Sequence, residues 1–128
     1  MKHFLGIDVG HKRVGLAVGD SDLRMARPLK TIAPEALEAV IQAEGPFDNV
    51  IVGLPRNLAG ADTPQTIAVR RYADDVLGRL RIEPVFQDEA ATSQLAEERL
   101  KAAGRAYAKA DIDAEAAAII LQDYLDGL

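Results

Sequence analysis

Four acidic residues stand where structural roles explain them only singly. Asp8 interrupts the apolar run HFLGIDVGHKRVGLAVGD (3–20). Asp88 and Glu89 directly follow the expected strand EPVFQ (83–87), and Asp113 opens an alanine-rich C-terminal segment. Taken one at a time, Asp8 can accept amide hydrogen bonds from the turn that follows it. Asp88 can bond to its loop, Glu89 can be solvated, and Asp113, or Asp111 beside it, can cap the helix it precedes. Brought to one end of a sheet, the same groups repel unless a cation sits between them or one of them takes up a proton. Oxygen ligands of this kind suit Mg²⁺ or Mn²⁺, and a pair of ions ~4 Å apart stabilises the attacking and leaving oxygens of phosphodiester hydrolysis. Other chemistries are poorly supplied: the chain has no cysteine, only His3 and His11 as histidines, and no serine in a nucleophile elbow.

The elements that must position these acids are legible from the apolar pattern. FLGIDV and RVGLAVGD, joined by Gly10-His11-Lys12, read as a hairpin. ARPLKTI (26–32) reads as a third, edge strand carrying Pro28. Alternation along the first strand sends Leu5, Ile7 and Val9 to one face and Phe4, Gly6, Asp8 and Gly10 to the other, so two glycines clear the face that carries Asp8. Leu37, Val40 and Ile41 recur at helical spacing between Pro34 and Gly45. NVIVGL (49–54) is a short, wholly apolar run expected of a strand covered on both faces. Thr63 and Pro64 predict the start of a helix whose apolar face runs from Ala68 to Leu80. After EPVFQ, a helix from Thr92 to Gly104, a polar loop RAYAKAD (105–111) and a helix AEAAAIILQDYLD (114–126) complete the chain. The expected fold class is α/β: an antiparallel meander of three strands and two parallel strands in one mixed five-stranded sheet, with helices on both faces.

The 128 residues suffice for a single domain, 1–128, with its own core. The absence of cysteine agrees with a reducing compartment, and no apolar run is long enough for a membrane span or shaped like a signal peptide, so a soluble cytoplasmic protein is expected. The formal charge of −5 argues against a generic polyanion binder. Residues 1–56 carry seven Lys/Arg and seven Asp/Glu, residues 57–128 eight and thirteen, so nucleic-acid binding would need a local basic surface.

GIDVGHKRVGLAVGD, VGLPRNLAG, DEAAT and DIDAEAAAIILQDYL, in that order and spacing, resemble the YqgF family, also called RuvX, over nearly the whole chain. The resemblance implies an RNase H-like fold related to the Holliday junction resolvase RuvC and a metal-dependent nuclease. It further implies a link to trimming the 5′ end of pre-16S ribosomal RNA, with Holliday junction cleavage as an alternative. By position, the catalytic and metal-binding acids would be Asp8, Glu89 and Asp113, with one or two Mg²⁺ or Mn²⁺ ions. The family usually shows Asp-Glu-Arg where this chain has Asp88-Glu89-Ala90, so a cation beside the acids has to come from elsewhere. Glu89 also lies two strands from Asp8, a start of roughly 10 Å that a glutamate and metal ions can bridge.

Candidate substrate contacts flank these acids. Lys12 and Arg13 occupy the hairpin tip beyond Asp8, Arg56 and Asn57 the loop after a buried strand end, and Arg105 and Lys109 flank Tyr107 before Asp113. Arg70 and Arg71 are expected to pair with Asp74 and Asp75 along their own helix. The expected partner is nucleic acid, an RNA precursor before a DNA junction; a resolvase would further need a homodimer. Two other readings are a noncatalytic ribosome-assembly module and, from GIDVG alone, an actin-like ATPase, which would require a second domain.

Overall fold

The computed structural model describes residues 1–89, 92–104 and 106–128, with only the backbone of Thr92 and Ser93. Strands β1 (His3–Val9), β2 (Val14–Asp20) and β3 (Arg27–Ile32) form the antiparallel meander. A 3₁₀ turn (Pro34–Ala36) leads into α1 (Leu37–Glu44), followed by β4 (Asn49–Pro55), α2 (Pro64–Arg79), β5 (Val85–Glu89), α3 (Thr92–Ala102) and α4 (Lys109–Asp126). The sheet order is β3-β2-β1-β4-β5, with β4 parallel to both β1 and β5. This is the expected mixed sheet.

The predicted alternation of β1 divides the core. Leu5 and Ile7 pack with Leu37 and Ile41 of α1 and Val69, Ala73, Val76 and Leu77 of α2. Phe4, on the opposite face, packs with Ala117, Leu121 and Leu125 of α4. Helix α4 touches all five strands, and α3 lies on its outer side through Ala96, Ala116 and Ile119. The space cleared by Gly6 is filled by α4, because a Cβ there would meet Leu121 Cβ at 2.7 Å and Ala117 O at 3.0 Å. Small residues on the sheet thus let a helix rich in alanine settle against the strands at backbone distance. Thr63 caps α2 by accepting from Thr66 N at 3.3 Å, and the buried Thr66 hydroxyl donates in turn to Pro55 O, tying the helix start to the end of β4.

Three expectations need correction. β5 covers 85–89 rather than 83–87, so Asp88 and Glu89 are its last residues and Glu89 pairs in register with Pro55. α4 starts at Lys109 rather than 114, absorbing part of the expected polar loop. Its first turn is stabilised by Asp111, which accepts from Ala108 N at 2.8 Å; this local bond favours helix where composition alone suggested loop. Finally, Arg70 lies over the Phe86 ring at 5.0 Å, a cation–π contact that replaces the expected pairing with Asp74.

Candidate active site

Asp8 and Asp113 are brought together through a glycine. Asp8 is the register partner of Gly15 across the β1–β2 ladder. A Cβ on Gly15 would collide with the backbone of Asp113, so only glycine lets α4 press onto the sheet at this point. The main chain therefore pins Asp113 beside Asp8. The capping role open to either Asp111 or Asp113 falls to Asp111, which leaves the Asp113 carboxylate free to face the sheet.

The electrostatics follow from that placement. Burial, reinforced by the charge of Asp113, pushes the Asp8 carboxyl up to about 6. Asp113 receives the Arg13 guanidinium, Nε donating to Oδ2 at 2.5 Å. Arg13, expected at the hairpin tip as a phosphate contact, thus binds one of the acids, while Lys12 beside it is exposed.

Glu89 forms a second centre. It ends β5, separated from β1 by β4. Burial, then a hydrogen bond and the negative charge from Asp123, then the charges of Asp8 and Asp88, push its carboxyl up to about 8. Its Oε1 is buried with no hydrogen-bond partner among the described residues. Asp123 was not legible as a site residue. It sits ten positions after Asp113, roughly 15 Å along the helix, and its local sequence is that of any solvated helical acid. Only the crossing of α4 over the sheet carries it to β5.

The loop after β4 is internally organised. Arg56 bonds Asp88 Oδ1 through Nε at 2.9 Å and Asp62 Oδ1 through Nη1 at 2.6 Å, and its main-chain N donates to Glu89 O at 3.3 Å. Asn57 Oδ1 accepts from Ala59 N at 3.0 Å and Ala61 N at 2.9 Å. Both residues, expected to meet substrate, hold the loop and the end of β5 together. Lys109 is exposed in the first turn of α4. Tyr107 donates to Glu97 Oε2 at 3.0 Å and borders a groove of about 420 Å³ shared with Lys30, Asp111 and Glu115. Arg105 and Ala90 lie outside the described residues.

Among the described residues no three His, Asp or Glu side chains form a ready-made metal cage. The donor set nevertheless fits a hard divalent cation: Asp8, Asp113 and Glu89 offer only carboxylate oxygens, the charges of Asp113 on Asp8 and of Asp8 on Glu89 are each felt, and one Glu89 oxygen lacks a partner. Asp8, Asp113 and Glu89 would hold it.

Comparison with known proteins agrees with this architecture. Residues 2–127 match the family described as RuvX, Holliday junction resolvase. A protein of Chloroflexus aurantiacus named "Putative pre-16S rRNA nuclease" is 43% identical, covering 95% of this chain and 85% of its own. A protein of the same name from Paraburkholderia phytofirmans is 39% identical over 97% of this chain and 88% of its own. Among solved structures, Thermus thermophilus RuvC in complex with a Holliday junction substrate is similar with TM-score 0.60 at 15% identity, covering 99% of this chain and 95% of that one. The yeast mitochondrial Holliday junction resolvase Ydc2 follows with TM-score 0.55 at 12% identity, over 95% and 77%. These likenesses establish the RuvC-like, RNase H-type fold, and the match of family and relatives over almost every residue places this chain in the RuvX family.

Proposed function

We propose that the protein is a divalent-metal-dependent nuclease that hydrolyses phosphodiester bonds, acting on the 5′ end of pre-16S ribosomal RNA in the cytoplasm. The observation that carries this reading is the pinning of Asp113 beside Asp8 through Gly15, with Glu89 at the same sheet end. Two carboxylates whose main chains are held side by side repel, and a divalent cation would compensate the charge that Arg13 on Asp113 leaves at Asp8. A bound Mg²⁺ or Mn²⁺ supplies polarisation of the phosphate and activation of water. The chain's own part is to hold Asp8 and Asp113 in place, to present Glu89 across the β4 gap, and to offer Lys12 and Lys109 as exposed cations for backbone phosphates. Arg56 and Asn57 fix the adjoining loop, and Arg105 is kept as a phosphate contact from its sequence position. Among the described residues no helix is long and apolar enough to cross a membrane.

Two alternatives have specific support. The family description favours four-way DNA junctions, for which a homodimer would be required to cut two strands. Ala90, where the family usually carries an arginine, keeps a noncatalytic assembly module as the other alternative. One experiment separates them: cleavage of precursor rRNA, single-stranded RNA and four-way DNA junctions with Mg²⁺, Mn²⁺ or EDTA, by the wild type and by Asp8→Asn. Cleavage of precursor rRNA that needs metal and Asp8 is expected. Cleavage confined to junctions, or RNA binding without turnover, would replace the proposal with the corresponding alternative.

A further inference from the structure

Arg13 makes a contact that phosphate binding does not require. Its turn, in which Gly10 N donates to Arg13 O at 2.9 Å, lies two residues before Gly15, the contact point of α4. The guanidinium therefore has little distance to cover, and Nε reaches Asp113 Oδ2 at 2.5 Å. The Asp113 side chain is only 17% exposed, so leaving its charge uncompensated beside Asp8 would be costly. The Arg13 side chain is 40% exposed, so it stays partly open to solvent while paired, and a guanidinium has donors suited to phosphate oxygens.

We propose that Arg13 is the resident counter-ion of the metal-free site: it neutralises Asp113 beside Asp8 until a divalent ion takes over, and the freed guanidinium then binds the substrate phosphate. This rests on the metal-dependent reading above. A guanidinium and a divalent cation compete for the same carboxylate, and the dication offers the greater compensation to two carboxylates at once. Metal and nucleic acid then bind cooperatively through one side chain, since each favours the arrangement in which Arg13 has left Asp113.

The test is calorimetric titration of MnCl₂ into the metal-free full chain, comparing wild type, Arg13→Gln, Arg13→Met and Asp8→Asn. It is paired with fluorescence anisotropy of a labelled 2′-O-methyl oligoribonucleotide with and without Mn²⁺. Removal of the competing charge in either Arg13 variant is expected to tighten Mn²⁺ binding by about tenfold, within the usual range of coupling between sites. In the wild type Mn²⁺ should tighten oligonucleotide binding, and in the Arg13 variants that enhancement should be clearly smaller, leaving only what the metal itself contributes at the phosphate. Unchanged or weaker Mn²⁺ binding in the folded Arg13 variants overturns the counter-ion role. If Asp8→Asn nevertheless loses Mn²⁺, the metal-site reading survives that failure. A wild type that takes up no Mn²⁺ overturns both.

Discussion

The two ends of the acidic site solve the same electrostatic problem differently. At the β1–β2 end, Asp113 is neutralised by Arg13 and Asp8 is left to feel burial and one neighbouring charge, at about 6. At the β5 end, Arg56 binds Asp88 and Asp62, while burial first, and then the neighbouring acid Asp123, take Glu89 to about 8. One end thus uses a cation and the other holds a proton near neutral pH. Below about pH 6 Asp8 as well as Glu89 must lose a proton before binding metal, and between about pH 6 and 8 only Glu89 must.

The sharpest way to break the comparison is to remove a carboxylate charge at each end. Asp8→Asn should reduce metal-dependent cleavage by about 10³-fold or more, the scale of several kcal/mol that a catalytic ion supplies. Glu89→Gln should fall in the same direction; cleavage by either variant at the wild-type rate would refute its assignment.

The same variants should be more stable than the wild type without metal. Because the folded carboxyls are raised, their contribution to stability is full below the unfolded value and is lost as pH rises through the folded one. For Asp8 that window runs from 3.8 to about 6, and for Glu89 from 4.5 to about 8. Chemical denaturation in EDTA should show the advantage of Asp8→Asn growing up to about pH 6 and then staying constant, at no more than about 3 kcal/mol. The advantage of Glu89→Gln should keep growing to about pH 8. Coincident windows would mean that the two ends are not electrostatically distinct.

Gly15→Ala tests the backbone side of the arrangement. Its Cβ meets the Asp113 main chain, so α4 must move; a loss of about 1–3 kcal/mol in denaturant is expected, together with loss of cleavage. Arg56→Ala should be the mildest. Its partners Asp62 and Asp88 are 47% and 68% exposed, so stability should fall by about 1 kcal/mol or less, with the effect falling on KM rather than kcat. A collapse of kcat in Arg56→Ala would show that the loop also shapes Glu89.

Much of this was legible in the chain. The alternation of Leu5, Ile7 and Val9 against Phe4, Gly6 and Asp8 correctly divided the first strand between two cores, because a strand's side-chain period is two residues. Thr63-Pro64 marked the start of α2 because capping is a local bond. The ends of β5 and α4 were displaced, since strand length is decided by the β4 neighbour that Glu89 pairs with, and the first turn of α4 by the Asp111–Ala108 bond.

Residue type and spacing were sufficient to specify the mixed sheet and to bring out Asp8, Asp88-Glu89 and Asp113 as acids in unusual places, because both depend on periodicity and on short-range chemistry; the choice of Glu89 over Asp88 came from the family resemblance. Tertiary structure alone decided their company. Asp123 reaches Glu89 only because α4 crosses the whole sheet, and Asp113 reaches Asp8 only because Gly15 lets helix backbone touch strand. Arg13 and Arg56 found acids rather than open solvent for the same reason: contacts between residues as much as 100 positions apart are set by packing, and no local pattern encodes them.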